Sequence, residues 1–294
     1  MTILFRYPGG KTKIKKRLIR ILDNLHNSMG DGCEYREPFF GGGSVGINFL
    51  MHNVNADKVW INDIDYSIAS VWNSVIKYPK ELIKLCDSFD PNVESFNEFK
   101  DILIGASKKC VGGYTVFEIA FMKIALHQMS YSGLGTKAGG PIGGVSQSSD
   151  YDIGCRWNAK SLEKKIKRLH ELFSRVEVHN SRCSACDYEE LFDSDEKYVT
   201  YLDPPYYDKG NDLYQCGFSD DDHVRLSKLL RGEKNPWLLS YDDCEEVRKL
   251  YSWAHIAEIP INYSIHTARK KSELAIVPKL FSGSMDDNYD LFAY

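Results

Sequence analysis

The stretch TYLDPPYYDKG, residues 200–210, places a carboxylate, two prolines and two tyrosines directly after an apolar run. Proline lacks an N–H and has a fixed φ, so the run should end as a strand just before Asp203. The Asp203 carboxylate and the Pro204 carbonyl can accept hydrogen bonds, Pro205 stiffens the turn, and Tyr206 offers an aromatic face. Acceptors of this kind stabilise the positive charge that develops when an amino nitrogen on a planar ring becomes a nucleophile. The sequence therefore predicts that Asp203, Pro204, Pro205 and Tyr206 catalyse a reaction at such a nitrogen.

A second motif, REPFFGGGSVG at 36–46, places three consecutive glycines between an apparent strand end and a helix for which Ser44 is the expected N-cap. Such a turn lets the backbone approach a ligand closely and directs a helix N-terminus at it. A plain tight turn is the alternative reading of this motif.

The following strand, WINDID, strengthens the ligand interpretation. Asp63 comes 22 residues after Gly41, which suits a carboxylate that accepts hydrogen bonds from ribose hydroxyls. Asp65 is instead expected to cap the helix that starts near Tyr66. The alternative is that both aspartates are caps.

The segment YPGGKT at 7–12 is not a phosphate-binding P-loop, because Phe5 stands where that pattern requires glycine. Lys11 is still placed to reach a bound ligand.

Strands and helices alternate on both sides of 79–160, which indicates an α/β sheet. The middle segment has helical patterns at 80–86, 95–104 and 116–129 and then a long Gly- and Ser-rich stretch. We therefore predict a discontinuous catalytic domain, 1–78 plus 161–294, with residues 79–160 inserted into it.

Composition and charge exclude several classes of protein. The 294 residues carry a net charge of −4, which excludes a uniformly basic nucleic-acid-binding protein but not a local basic face such as 11–20 or 160–168. No apolar run reaches membrane-spanning length, and the first residues do not resemble a secretory signal. The eight cysteines are scattered and only Cys183 and Cys186 form C-x-x-C, so we expect reduced thiols and no metal.

Taken together, these motifs resemble the Dam-type DNA adenine-N6 methyltransferases, which depend on S-adenosylmethionine. The matching segments occur in the family's order and are RYPGGK (6–11), REPFFGGGSVG (36–46), NDID (62–65), CDYEELF (186–192), DPPYY (203–207) and ARKKSELAI (268–276). The resemblance implies a Rossmann-like methyltransferase sheet flanked by helices, with an inserted, mostly helical and loop, target recognition domain. It also implies transfer of a methyl group to the N6 amine of an adenine flipped out of DNA.

The same resemblance assigns residues to roles. The cofactor-binding set is Tyr7, Gly9, Gly10, Lys11, Glu37, Pro38, Phe39, Phe40, Gly41, Gly43, Ser44, Asp63, Ile64, Asp187, Tyr188 and Asp203. The DNA-binding set is Arg6, Ser132, Leu134, Thr136, Lys137 and Arg156. In the recognition segment YSGLGTK (131–137), Thr136 stands where the family has arginine, so a GATC target does not follow.

The implied partner is double-stranded DNA, with no membrane and a cytoplasmic location, in a host cell if the protein is phage-encoded. A cognate restriction endonuclease, and a monomer or weak dimer, are left open. The chemistry equally suits adenine in RNA or another exocyclic amine. A binding module without catalysis is a further alternative, against which the intact DPPY weighs.

Overall fold

The computed structural model describes residues 4–5, 11, 13–53, 56, 58–106, 112–131, 133–175, 181–207, 216–261 and 271–285. Within these residues, seven strands form one sheet in the order β3-β2-β1-β4-β5-β7-β6. The strands are β1 (Glu34–Glu37), β2 (Lys58–Asn62), β3 (Ser181–Ser184), β4 (Tyr198–Leu202), β5 (Trp237–Asp242), β6 (His255–Ile261) and β7 (Lys271–Val277). Neighbours from β3 to β5 are parallel, whereas β7 runs antiparallel to both β5 and β6. The predicted α/β sheet is confirmed.

The helices of the described part surround this sheet. They are α1 (Lys15–Met29), α2 (Gly46–His52), α3 (Tyr66–Lys77), α4 (Pro79–Ser88), α5 (Val93–Ala106), α6 (Val116–Met129), α7 (Ala159–Arg175), α8 (Asp220–Gly232) and α9 (Glu245–Leu250). Reciprocal capping boxes start two of them, Thr115 with Glu118 at α6 and Ser219 with Asp222 at α8. No helix in these ranges combines the length and the apolarity needed to cross a bilayer.

The central strands are buried on both faces. Every residue of β4 is buried, and so is every residue of β5 except its last. Parallel strands read as continuous apolar runs because helices cover both sides of such a sheet. The run YVTYL is therefore a central strand, and the polar residues after it lie at the sheet's carboxyl edge.

The strand order reverses between β1 and β4. From β1 the chain builds outward through β2 to β3, and β4 then lies on the other side of β1. A crevice opens at the carboxyl ends of strands at such a switch point, and ligands bind there. Because β1 ends at Glu37 and β4 ends at Leu202, the glycine turn and Asp203 emerge side by side at this crevice.

The expectation that Ser44 caps α2 was wrong. Helix α2 begins at Gly46, with Val45 at the cap position and no side-chain cap. The reason is the glycine turn itself: Gly43 has a φ of 66° and its N–H donates to the Phe40 carbonyl at 2.7 Å. Ser44 is part of that turn, so the helix starts after it, at Gly46.

The middle segment contains the three expected helices, each within two residues of its predicted bounds. Helix α6 packs along α3, and α4 packs against α7, so the segment shares one hydrophobic core with the sheet domain. Its independence as a recognition domain stays a prediction.

Candidate active site

Four polar side chains meet beyond the end of β4. Lys11 Nζ lies 2.5 Å from Asp203 Oδ1 and 3.1 Å from Glu273 Oε1, and it donates to the Tyr206 hydroxyl at 2.9 Å. The Tyr206 hydroxyl in turn donates to both Glu273 oxygens at 3.3 Å. Lys11 is only 3% exposed, and a buried ammonium is tolerated when it is paired in this way. The cluster therefore joins a residue near the start of the chain to the DPPY segment and to β7.

The charges of this cluster depend on one another. Burial lowers the pKa of Lys11, but the carboxylates of Asp203 and Glu273 outweigh that effect and hold this pKa well above its ordinary value. Burial raises the pKa of Asp203, with Lys11 opposing the rise. Burial also raises the pKa of Glu273, to about 7, again against the influence of Lys11. The ammonium of Lys11 thus opposes the rise in the pKa of both neighbouring buried carboxylates.

Asp203 is the more accessible of the two carboxylates in the cluster. Its side chain keeps 21% of its surface exposed, against 2% for Lys11. Within the described residues, its protein contacts use Oδ1, with Lys11 at 2.5 Å and Ser240 Oγ at 3.4 Å. Oδ2 is therefore available to accept a hydrogen bond from a ligand.

The residues after Asp203 form a rigid turn. Pro204 and Pro205 are buried, and the backbone N–H of Tyr207 donates to Asp242 Oδ1 at 3.0 Å. Tyr206 is half-buried, and Lys11 Nζ lies 4.7 Å from the centroid of its ring. The hydroxyl of Tyr206 is fixed by Lys11 and Glu273, so the ring has a defined orientation.

The glycine turn stands beside this cluster. Gly41 has a φ of 47°, and its carbonyl accepts from Trp72 Nε1 at 2.8 Å. A Cβ on Gly43 would lie 2.7 Å from the Phe40 ring, so no side chain fits there. The half-buried Ser44 follows in the same turn. The turn is thus a close-packed backbone surface, suited to a ligand that lies directly against it.

Glu37, the last residue of β1, is buried under the start of α2. Its Oε2 accepts from the Tyr35 hydroxyl at 2.7 Å. A Cβ on Gly46 would lie 2.1 Å from that same oxygen, so glycine leaves the space that the carboxylate fills. Burial raises the pKa of Glu37 well above its usual value, and the Asp203 and Asp63 charges add to the rise.

Asp63 connects the end of β2 to the glycine turn. Its Oδ2 accepts from the Gly41 N–H at 2.9 Å, and its Oδ1 accepts from the Asp65 N–H at 2.9 Å. Burial, and then the charge of Asp65, raise the pKa of Asp63 to about 7. The next side chain, Ile64, is 46% exposed beside this buried carboxylate. The prediction that Asp65 caps α3 is confirmed, since its side chain accepts from Ser67 N.

Asn62 binds three of the predicted cofactor segments together. Its amide nitrogen donates to the carbonyls of Pro38 and Cys186, each at 3.1 Å. Cys186 precedes Asp187, whose side chain caps the 3₁₀ turn that begins at Tyr188 and also accepts from Arg225 at 3.0 Å. The segments after β1, β2 and β3 are therefore tied into one unit.

An aromatic cluster lies at the same place. The ring centroids of Phe39 and Tyr188 are 5.4 Å apart, and Phe218 packs against both, at 5.6 and 5.8 Å. Phe39 and Tyr188 were predicted from separate motifs, and the structure brings them into contact.

Three of the candidate DNA-binding residues, Leu134, Thr136 and Lys137, lie in another loop, after α6. Leu134 is half-buried, Thr136 is half-buried and Lys137 is exposed. The exposed Arg156 directs Nη1 to the carbonyls of Ser130 and Tyr131, both at 3.2 Å. Arg156 therefore holds the recognition segment in shape, whatever else it contacts.

Several predicted residues cannot be placed. Arg6, Tyr7, Gly9, Gly10 and Ser132 lie outside the described residues.

Sequence reasoning missed Glu273, Ser240 and Asn62 as site residues. The signal for Glu273 was a lone carboxylate in an otherwise apolar strand, SELAIV, inside a motif already singled out. Ser240 carries no such signal, because nothing in the sequence distinguishes it from a serine that only occupies a position in a buried strand. Asn62 precedes Asp63 at the end of β2, where a buried amide has to find partners.

Comparison with known proteins agrees with this geometry. A family model described as D12 class N6 adenine-specific DNA methyltransferase matches residues 7–265.

A relative of known type matches a shorter part of the chain. It is the Type II methyltransferase M.CviBI of Paramecium bursaria Chlorella virus NC1A, which is 30% identical over 83 residues. The aligned part is 28% of this chain and 32% of that relative, so the chain spans about a third of the relative's length. The family match, by contrast, runs from the segment before Lys11 to beyond β6 and includes Asp63 and Asp203. The chain therefore belongs to the family of D12 class N6 adenine-specific DNA methyltransferases.

Proposed function

We propose that this protein transfers a methyl group from S-adenosylmethionine to the N6 amine of adenine in double-stranded DNA. The observation that carries the proposal is the position of Asp203. Its available Oδ2 lies at the switch point of the sheet, beside a glycine turn that leaves no room for side chains. An acceptor for an amine and a cradle for a small charged ligand are thus neighbours.

The donor set near the glycine turn fits S-adenosylmethionine. Asp63 is a buried carboxylate whose two oxygens each accept one backbone N–H, which leaves lone pairs for ribose hydroxyls. The exposed Ile64 offers an apolar face beside it for the adenine ring. The turn from Glu37 to Ser44 would hold the methionine part, and Asp187 and Tyr188 would border the adenine. When bound, this cofactor supplies an electrophilic methyl group on a sulfonium.

The DPPY residues would act on the other substrate. Asp203 Oδ2 and the Pro204 carbonyl would accept hydrogen bonds from the two N–H groups of the amine. These hydrogen bonds favour the loss of conjugation that makes the nitrogen a nucleophile. The nitrogen would take up the methyl group, the donor would leave as a neutral thioether, and the surplus amine proton would pass to water. Lys11 holds Asp203 in the accepting orientation, and Tyr206 stacks on the base.

The target base has to leave the duplex to reach this crevice, at a cost of roughly a few kcal/mol. Residues 79–160 would form the recognition domain, and residues 1–78 with 161–294 the catalytic domain. The proposed DNA contacts are Arg6, Ser132, Leu134, Thr136, Lys137 and Arg156.

Further partners follow the same proposal. We propose that the protein works in the cytoplasm, where its DNA substrate is, as a monomer or weak dimer. A cognate restriction endonuclease is the further partner to look for, because the viral relative is described as a Type II methyltransferase.

The test is methyl transfer from radiolabelled S-adenosylmethionine to unmethylated duplex DNA, followed by mapping of modified adenines. We expect label at N6 of adenine in one short sequence context, and a loss of about 10²-fold or more in Asp203→Ala. Structured RNA serves as the competing substrate. Transfer to RNA but not to duplex DNA would favour the alternative acceptor, and full activity of Asp203→Ala would refute the mechanism.

A further inference from the structure

Helix α6 contains a lysine within a stretch that is buried from solvent. From Ile119 to His127 every residue of this helix is buried, and Lys123 among them is only 3% exposed. A buried ammonium is costly unless it is paired. Its partner is Asp65, whose Oδ2 lies 2.9 Å from Lys123 Nζ.

This ion pair continues into the proposed cofactor pocket. The backbone N–H of Asp65 donates to Asp63 Oδ1 at 2.9 Å. Asp63 Oδ2 in turn accepts from the Gly41 N–H at 2.9 Å. The contacts therefore run from Lys123 through Asp65 and Asp63 to the glycine turn.

Electrostatic interactions link the same residues. Burial, and then the charge of Asp65, raise the pKa of Asp63, whereas Lys123 lowers it. The buried Glu37 and the half-buried Cys183 also interact electrostatically with Asp63. Lys123 is a cation that counteracts this accumulation of acidic groups.

We propose that Lys123 is a positioning residue for the cofactor. Through Asp65 it holds Asp63 in place, ionised and ready to accept hydrogen bonds from the ribose hydroxyls. This role rests on the proposed function, because it assigns Asp63 to the cofactor. It extends that function by giving a helix of the middle segment a part in cofactor binding.

The same helix offers a matched control. His127 lies one turn after Lys123 and is 5% exposed, but its Nδ1 lies 2.8 Å from the Gly133 carbonyl. A Cβ on Gly135 would lie 2.7 Å from its Nε2. The polar contact of His127 is therefore with the recognition segment, whereas that of Lys123 is with Asp65.

The experiment measures S-adenosylmethionine binding by calorimetry, with thermal unfolding as a check on folding. Lys123→Met keeps the length of the side chain but removes its charge. We expect Kd at pH 7 to rise about fivefold, because a pKa of about 7 that rises by one unit lowers the ionised fraction of Asp63 by about that factor. His127→Leu should leave this Kd within about twofold and weaken DNA binding instead. An unchanged Kd in a folded Lys123→Met variant would overturn the proposal.

A double variant separates charge from packing. In Asp65→Asn with Lys123→Met, both charges are gone and asparagine can still cap α3, so Kd should return to within about threefold of the wild type. This variant also decides the matter if Lys123→Met alone does not fold. A double variant that binds at least about fivefold more weakly than the wild type would overturn the proposal. A wild type that binds no S-adenosylmethionine would overturn the proposed function as well.

Discussion

Glu273 gives a prediction whose size follows from the structure. Glu273→Gln keeps the shape of the side chain and an oxygen for Lys11 and Tyr206, but it cannot ionise. The wild-type carboxyl is buried, and its pKa is raised from 4.5 to about 7. Its neighbours in the cluster are Lys11, Asp203 and Tyr206.

The sign of the effect follows from linkage. Because the pKa of Glu273 is higher in the folded protein, the folded state holds a proton that the unfolded chain has already released between about pH 4.5 and 7. Stability therefore falls as pH rises through this window. A pKa difference of about 2.5 corresponds to roughly 3 kcal/mol of unfolding free energy.

The assay is urea unfolding of the wild type and Glu273→Gln at pH 5 and pH 8. We expect the wild type to lose up to roughly 3 kcal/mol more than the variant between these two pH values. Glu118→Gln is the control, since hydrogen bonds from Thr115 lower the pKa of Glu118 and its contribution is lost only in more acidic solution. Equal losses in the wild type and Glu273→Gln would refute the reasoning.

Three further predictions address the base, the cofactor turn and the DNA. Tyr206→Phe should keep most of the DNA affinity because it keeps the ring, whereas Tyr206→Ala should lose about 1–3 kcal/mol of stacking free energy. The measurement is Kd for a cognate duplex. Equal losses in the two variants would contradict the stacking role. Gly46→Ala should destabilise by about 1–3 kcal/mol, because its Cβ would lie 2.1 Å from Glu37 Oε2. Gly232→Ala, where nothing lies within 4 Å of the added Cβ, should be close to neutral in the same denaturant titration. Finally, log Kd for duplex DNA should rise by about 0.9 per decade of salt for each phosphate neutralised, and a flat salt response would argue against a duplex substrate.

Much of the site could be predicted because its parts follow strand ends. The apolar runs before Asp203 and Asp63 identified two parallel strands, β4 and β2, that lie on either side of β1. Asp65 was recognised as a cap from its place before a helix, and the structure agrees. These features are local, so a short window of sequence contains the information.

The contacts that join distant segments could not be predicted in this way. Lys11 and Asp203 are 192 residues apart, and no local pattern indicates that they form an ion pair. The same is true of Lys123 and Asp65, which are 58 residues apart. Ser44 shows the opposite error. Its residue type is typical of a helix cap, but it belongs to the turn that precedes the helix.

The location of Glu273 has a consequence for biosynthesis. During translation Lys11 leaves the ribosome before the strands of this sheet, while β7 emerges after the other six. Until then the ammonium has no Glu273 to pair with, and β5 has an open edge. A nascent chain thus completes its charge cluster and covers that edge in the same late step, so shortened products that stop before β7 should be inactive.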